Sequence, residues 1–257
     1  MARTKEILAW IDTLAPREYA EDWDVVGPQV YFDDEVSKVV LAMDVTDQVV
    51  KVAIEEGAQL ILSHHPFFFS PLSLWEEGDY KSNLIKALLD HRITVISAHT
   101  NLDRAKGGVN DALASVLEIE NIESLQPGEE EGIGLVGTIP EANFEDVIQT
   151  IREKIHPTIF HAYGKKPKTV QKIGLCGGAG AEFMKDALSQ KADLYITGDM
   201  KHHDGQWAYE HHLCVLDIGH MDSERFVLYA LEKKIKEDFP EMEVMVYDKK
   251  DFEINLN

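Results

Sequence analysis

Six of the eleven histidines stand in adjacent pairs: His64-His65, His202-His203 and His211-His212. A pair that closes a strand carries the most chemical promise. Neighbouring side chains on a strand point to opposite faces. Where the chain bends after a strand, however, two rings can turn into one crevice, and in open α/β sheets ligands bind there. The run QLILSHHP puts His64 and His65 at such an end, because Pro66 has no N–H to extend a central ladder. His99 and His220 also close apolar runs, and Asp103 and Glu224 follow four residues later. In a loop or first helical turn that spacing brings side chains to one face. Imidazole and carboxylate without sulfur suit Zn, Mn, Fe, Co or Ni. Two carboxylates meet the needs of an ion pair, and two ions roughly 3.5–4 Å apart make hydroxide available at neutral pH. His64, His65, Asp103, His220 and Glu224 are therefore the candidate ligands of a dinuclear metal centre.

Each candidate also has a plainer reading. His64 and His65 read equally as a satisfied strand terminus. His220 and Glu224 read equally as a simple hydrogen-bonded pair, and Asp103 alone reads as a helix cap or turn residue. His91 and His212 follow helices and precede strands, as partners of a helix C-terminal dipole do. His202 and His203, in GDMKHHD, have the chemistry to coordinate metal but read better as a loop or subunit contact, and His156 and His161 read as surface residues. The run GGAG, residues 177–180, lies between a strand and a helix. It reads as a tight turn rather than a phosphate cradle, since neither a full GxGxxG nor a P-loop lysine is present. No GxSxG elbow and no CxxC pair occurs.

The elements that must position these residues alternate in type. KVVLAMDV, QLILSHH, RITVISAH, QKIGLCGG, DLYITGD and HLCVLDIGH read as buried strands. TDQVVKVAIEEG, KSNLIKALLDH, AEFMKDALSQK and SERFVLYALEKKIKED carry helical spacing, with Gly57 as a C-cap and Asp222 or Ser223 as an N-cap ahead of the last. This alternation predicts an α/β fold of βαβ units with mainly parallel sheets. The two halves also share a pattern. His91, His99 and Asp103 in the first are spaced like His212, His220 and Glu224 in the second, which points to an internal duplication. The acidic stretch SLQPGEEEG, residues 124–132, marks the boundary, giving units 1–126 and 127–257.

Composition narrows the class. Lys and Arg number 25 against 46 Asp and Glu, a formal charge of −21. Such a field repels phosphate backbones and anionic membrane surfaces, so neither nucleic acid nor membrane is an expected partner. It leaves room for one small anionic metabolite where bound cations reverse the local sign. Cys176 and Cys214 sit in apolar runs and read as buried free thiols of a reducing cytosol. The opening MARTKEILAWIDTLAP has the pattern of an amphipathic helix and not a signal peptide's apolar core, so a cytoplasmic location is expected.

Taken together, several segments resemble one known family. They are WDVVG (23–27), LAMDVT (41–46), LILSHHPFFF (60–69), AHTNLDRAKGGVNDALA (98–114), GIGLVGTIP (132–140), CGGAG (176–180), YITGDMKHH (195–203) and DIGHMDSE (217–224). In this order they resemble the GTP cyclohydrolase 1 type 2 homologues, the Nif-three-like dinuclear-metal proteins. The resemblance implies two similar, intertwined α/β/α units, with residues after about 222 packing on the first, and a homohexameric ring with metal sites facing an inner cavity. It implies two divalent ions per subunit on His64, His65, Asp103, His220 and Glu224, with His99 nearby. It also implies a metal-dependent hydrolase of a nucleotide-like small-molecule substrate; the family name points to hydrolytic opening of a guanine ring with loss of formate. A non-catalytic metal-binding assembly or regulatory protein, and a dinuclear phosphoesterase, stand as the other readings. After WDVVG this chain has Pro28 and Tyr31 where the family has Leu and a later Gly, which bears on the local turn. The extra central domain of longer family members is absent.

Overall fold

A computed structural model of the chain describes residues 2–71, 74–129 and 131–253. It divides into two compact units. The first comprises Met1–Ala105 and Leu228–Asn257, and the second Lys106–Val227.

The first unit is built on the apolar runs Lys38–Ala42, Leu60–Ser63 and Thr94–Ser97. These pair in parallel, and nearly every residue in them is buried, as a sheet covered on both faces requires. Glu243–Tyr247 adds a further parallel strand beside Lys38–Ala42. Gly27–Val30 adds an antiparallel edge beside Thr94–Ser97. Pro28 is tolerated there because an edge strand can spare one N–H, and the register shifts between Pro28 and Val30. Helices Asp47–Glu55 and Tyr80–Asp90 cross between the central strands. Their starts are fixed by Thr46, which accepts from the Val49 N–H, and by Asp79, which accepts from the Ser82 N–H. Gly57 follows the first helix with φ +65°, and the Ala58 N–H reaches back to the Ala53 carbonyl, as the expected C-cap requires. Val49, Ala53, Ile85 and Leu88 close a core over Val40, Ile61 and Val95.

The second unit repeats the order of elements. Thr169–Leu175, Leu194–Thr197 and Cys214–Asp217 form its parallel centre. His161–Gly164 lies antiparallel on one side, and Leu135–Asn143 with Glu120–Ser124 on the other. The expected parallel pairing thus holds at the centre of both sheets, while antiparallel strands extend their edges. Helix Phe144–Ile155 packs Val147, Ile151 and Ile155 on one face, against Ile173, Leu194 and Leu216. Met184, Ala187 and Ala208 pack with Tyr195 and Val215.

The first compact unit ends at Ala105, short of the expected limit at 126, and it takes in Leu228–Asn257, within the stretch after about 222 expected to pack on it. The acidic stretch 124–132, whose residue 130 lies outside the described residues, follows strand Glu120–Ser124 and leads into Leu135–Asn143, its antiparallel neighbour. It is a hairpin connection, and Gly, Pro and acidic residues mark such a loop as well as they mark a linker. The half-to-half register also shifts by one residue. Both short helices after the third central strand begin three residues beyond it, Thr100–Arg104 after Ser97 and His220–Glu224 after Asp217. His220 therefore occupies the position of Thr100, not of His99.

Candidate metal centre

The ligand candidates collect at the carboxyl ends of the central strands, as the crevice rule anticipates. In the first unit His64 and His65 follow Leu60–Ser63 directly. Their backbone N–H groups still bond the carbonyls of Ala42 and Met43, so the bend is held. The two rings lie 5.0 Å apart, and each approaches the ring of His99, at 5.2 and 5.6 Å. One ring nitrogen from each of His64, His65 and His99 falls within 4.8 Å of the others. Asp103 sits in the short helix Thr100–Arg104, whose N-cap is His99, and its Oδ1 is 3.6 Å from His64 Nε2.

The second unit offers a different set. His220 opens the helix His220–Glu224, and its Nε2 lies 3.3 Å from Glu224 Oε2. Glu224 is almost fully buried, a position in which a carboxylate needs charged or hydrogen-bonding neighbours to offset its lost hydration. Gly178 makes room for it. A Cβ there would stand 2.2 Å from Glu224 Oε1, and the φ of +67° already favours glycine. Gly198 likewise allows the backbone of residues 219 and 220 to approach; its Cβ would meet the His220 nitrogen at 2.7 Å.

The orientation of the rings is set by oxygen acceptors. His64 Nδ1–H donates to the Ala98 carbonyl at 2.9 Å, and His65 Nδ1–H to Asp44 Oδ1 at 2.9 Å. His99 Nδ1–H donates to Asp24 Oδ1 at 2.9 Å, and His220 Nδ1–H to Asp199 Oδ2 at 2.8 Å. With the proton on Nδ1, the lone pair of each neutral imidazole lies on Nε2. This is how metal-binding histidines are held: an outer carboxylate or carbonyl fixes the tautomer and the ring plane. The donor chemistry therefore fits divalent ions. The separations of 3.3 and 3.6 Å fit too. Two ligands on one tetrahedral ion, with bonds of about 2.1 Å, lie roughly 3.4 Å apart.

Three of these acceptors, Asp24, Asp44 and Asp199, escaped the sequence reading, although each lies in a motif segment: WDVVG, LAMDVT and YITGDMKHH. Asp199 adopts a left-handed φ of +54°, which aspartate accepts more readily than most residues. Asp24 does double duty, accepting from Thr100 N–H and Oγ1 as well as from His99. Burial raises its pKa, but the bonds from His99 and Thr100 outweigh burial and bring it down to about 2. It stays ionised opposite the imidazole.

Asp222 and Ser223 are not caps of the last helix. They lie inside His220–Glu224, where Asp222 accepts from Thr158 and Ser223 Oγ donates to the His220 carbonyl. GGAG is the expected turn: the N–H groups of Gly177, Gly178 and Gly180 go to Asn110, Ser223 and Thr197. His202 and His203 begin helix His202–Glu210 and are exposed there, in place of the expected loop. His91 caps the end of helix Tyr80–Asp90, and His212 follows helix His202–Glu210 with φ +60°. His156 and His161 are exposed, and Cys176 and Cys214 are buried free thiols. No helix among the described residues is long and apolar enough to cross a membrane.

A sequence profile for Duf34/NIF3 (NGG1p interacting factor 3) matches residues 2–251. The chain belongs to the Duf34/NIF3 family. Among its relatives is a protein of Methanocaldococcus jannaschii named GTP cyclohydrolase 1 type 2 homolog, 35% identical over 91% of this chain and 93% of its own. NIF3-like protein 1 of Drosophila melanogaster is 34% identical over 89% of this chain and 81% of its own. The solved structure of a Bacillus cereus protein related to NIF3 superposes with a TM-score of 0.92 at 21% identity, covering 99% of each chain. At that identity the likeness speaks for the fold. Within the Duf34/NIF3 fold, buried His, Asp and Glu groups of this chain could hold metal ions.

Proposed function

We propose that the chain is a metal-dependent hydrolase of a nucleotide-like small molecule, with His64, His65, Asp103, His220 and Glu224 holding two divalent ions. The supporting observation is the common arrangement of the histidines. Each of these three rings, and that of His99, gives its Nδ1 proton to a carbonyl or carboxylate and turns Nε2 toward the ligand side. Metal-binding histidines are commonly held by such an outer oxygen partner, and four rings sharing it in one chain support the reading. Bound divalent ions supply Lewis acidity and hydroxide at neutral pH. The chain's own part is to fix ring planes through Asp24, Asp44 and Asp199, and to keep Glu224 dry against Gly178.

Relatives named GTP cyclohydrolase 1 type 2 homolog support a purine nucleotide as the first substrate to try. Metal-loaded protein incubated with GTP is expected to release formate, and His64→Ala to release none. Equal release from both proteins contradicts the reading. The same proposal includes a homohexamer in the cytoplasm. A native mass of six chains tests the assembly, and a monomer mass at working concentration contradicts it.

A further inference from the structure

The first unit carries two large aromatic side chains that burial does not account for. Trp23 is 61% exposed and Phe69 56% exposed. Both stand edge-on to the same imidazole, that of His99. The Trp23 centroid lies 5.9 Å from it at an interplanar angle of 75°, and the Phe69 centroid 5.8 Å at 85°. His99 in turn belongs to the cluster of His64, His65 and His99.

Neither aromatic ring hangs on a loose loop. The segment that carries Trp23 is tied to the helix start at Thr100 by Glu21 N–H to Thr100 Oγ1 and by Asp24, which accepts from Thr100 and His99. Phe68, next to Phe69, exchanges two hydrogen bonds with the side chain of Gln29. Exposed aromatics on a pinned backbone beside a donor cluster are the arrangement a binding site uses, because the stacking surface is paid for before the ligand arrives.

We infer that Trp23 and Phe69 form a rim that seats a planar aromatic heterocycle beside His99. This rests on the hydrolase reading for its consequence, since the seated ring is then the one presented to the ions. The rim selects by π-surface, so it recognises a nucleobase and is indifferent to sugar and phosphate.

The test is calorimetric titration of the full-length, metal-loaded protein with guanosine and with ribose 5-phosphate. Wild type, Trp23→Ala, Trp23→Phe and Phe69→Ala are compared, with metal content and native mass measured on the same samples. Guanosine is expected to bind at least ten-fold more tightly than ribose 5-phosphate. Each alanine variant is expected to weaken guanosine about ten-fold or more, as loss of a base-stacking ring does, while keeping wild-type metal content; Trp23→Phe is expected to stay close to wild type. Guanosine affinity unchanged in both alanine variants overturns the inference. So does a fully metallated wild type that binds no guanosine. So does an alanine variant that breaks the assembly while binding guanosine normally, which would make the rim a protein contact. Ring stacking does not require the ion. Guanosine binding that is lost in Trp23→Ala therefore supports the rim even in protein that takes up no metal on reloading, and it is that failure to take up metal which would sink the hydrolase reading alone.

Discussion

At the scale of single residues, the account turns on which atom of each histidine is committed. His65 and His220 spend Nδ1 on aspartates, so these aspartates belong to the centre as much as the rings do. Asp199 is about half exposed, and removing it leaves little unfilled space. Asp199→Ala is expected to weaken metal affinity by roughly 10–100-fold, the usual effect of losing an outer partner, with the melting temperature of the metal-free protein unchanged. Isothermal titration with zinc, alongside a thermal scan, checks both. Affinity equal to wild type would remove Asp199 from the centre. His220→Ala and Glu224→Ala are expected to lower bound metal directly, and His202→Ala to leave it intact, because His202 is an exposed residue in the first turn of another helix.

These residues were unequally legible in the sequence. A histidine pair before proline and a carboxylate four residues after a histidine are local patterns that a chain displays openly. The aspartate partners are not. Asp24 and His99 are far apart in sequence, and only pairing of Gly27–Val30 with Thr94–Ser97 brings them together. The apparent match of His99 to His220 was misleading for the opposite reason: equal spacing in sequence hid a one-residue difference in where the helix begins.

At the scale of elements, short helices after strands do the positioning. Thr100–Arg104 is held at its start by Asp24, and His220–Glu224 is seated against the GGAG turn. Gly178→Ala puts a methyl group where Glu224 Oε1 lies and strains a positive φ. The variant is expected to lose metal and to be destabilised by about 1–3 kcal/mol. Urea unfolding and metal analysis measure the two effects, and a variant with normal metal content would show that Glu224 is not held there. Asp24 brings a pH dependence. Its folded pKa, near 2, lies below its unfolded value. Its contribution is therefore fully present above the unfolded carboxylate value and is lost as pH falls through the folded one. Asp24→Asn is expected to be less stable than wild type near pH 6, and the gap to narrow between about pH 4 and 2, read by denaturant melts across that range. A gap that stays constant down to pH 2 would contradict the tether. The central strands and their crossing helices were legible because buried parallel strands read as unbroken apolar runs. The edge strands were not: Glu120–Ser124 is mostly exposed, and its sequence ENIES carries no period that a loop could not carry.

At the scale of the whole chain, the two units repeat one order of strands and helices but carry different donors: three imidazoles and an aspartate in the first, one imidazole and a glutamate in the second. The shared order of strands and helices was visible in the alternating segments of the two halves. The return of the chain to the first unit at Leu228 is a long-range event that no local composition marks, so it was legible only through the family resemblance, and the limit at Ala105 was not. The central claim is that this chain holds two ions on His64, His65, Asp103, His220 and Glu224. Metal analysis of the purified protein beside Asp103→Ala tests it most directly. About two ions per chain, with loss in the variant, is the predicted result. No metal in either protein, even after reloading with zinc, manganese or iron, would mean that the histidines are structural and the claim is wrong.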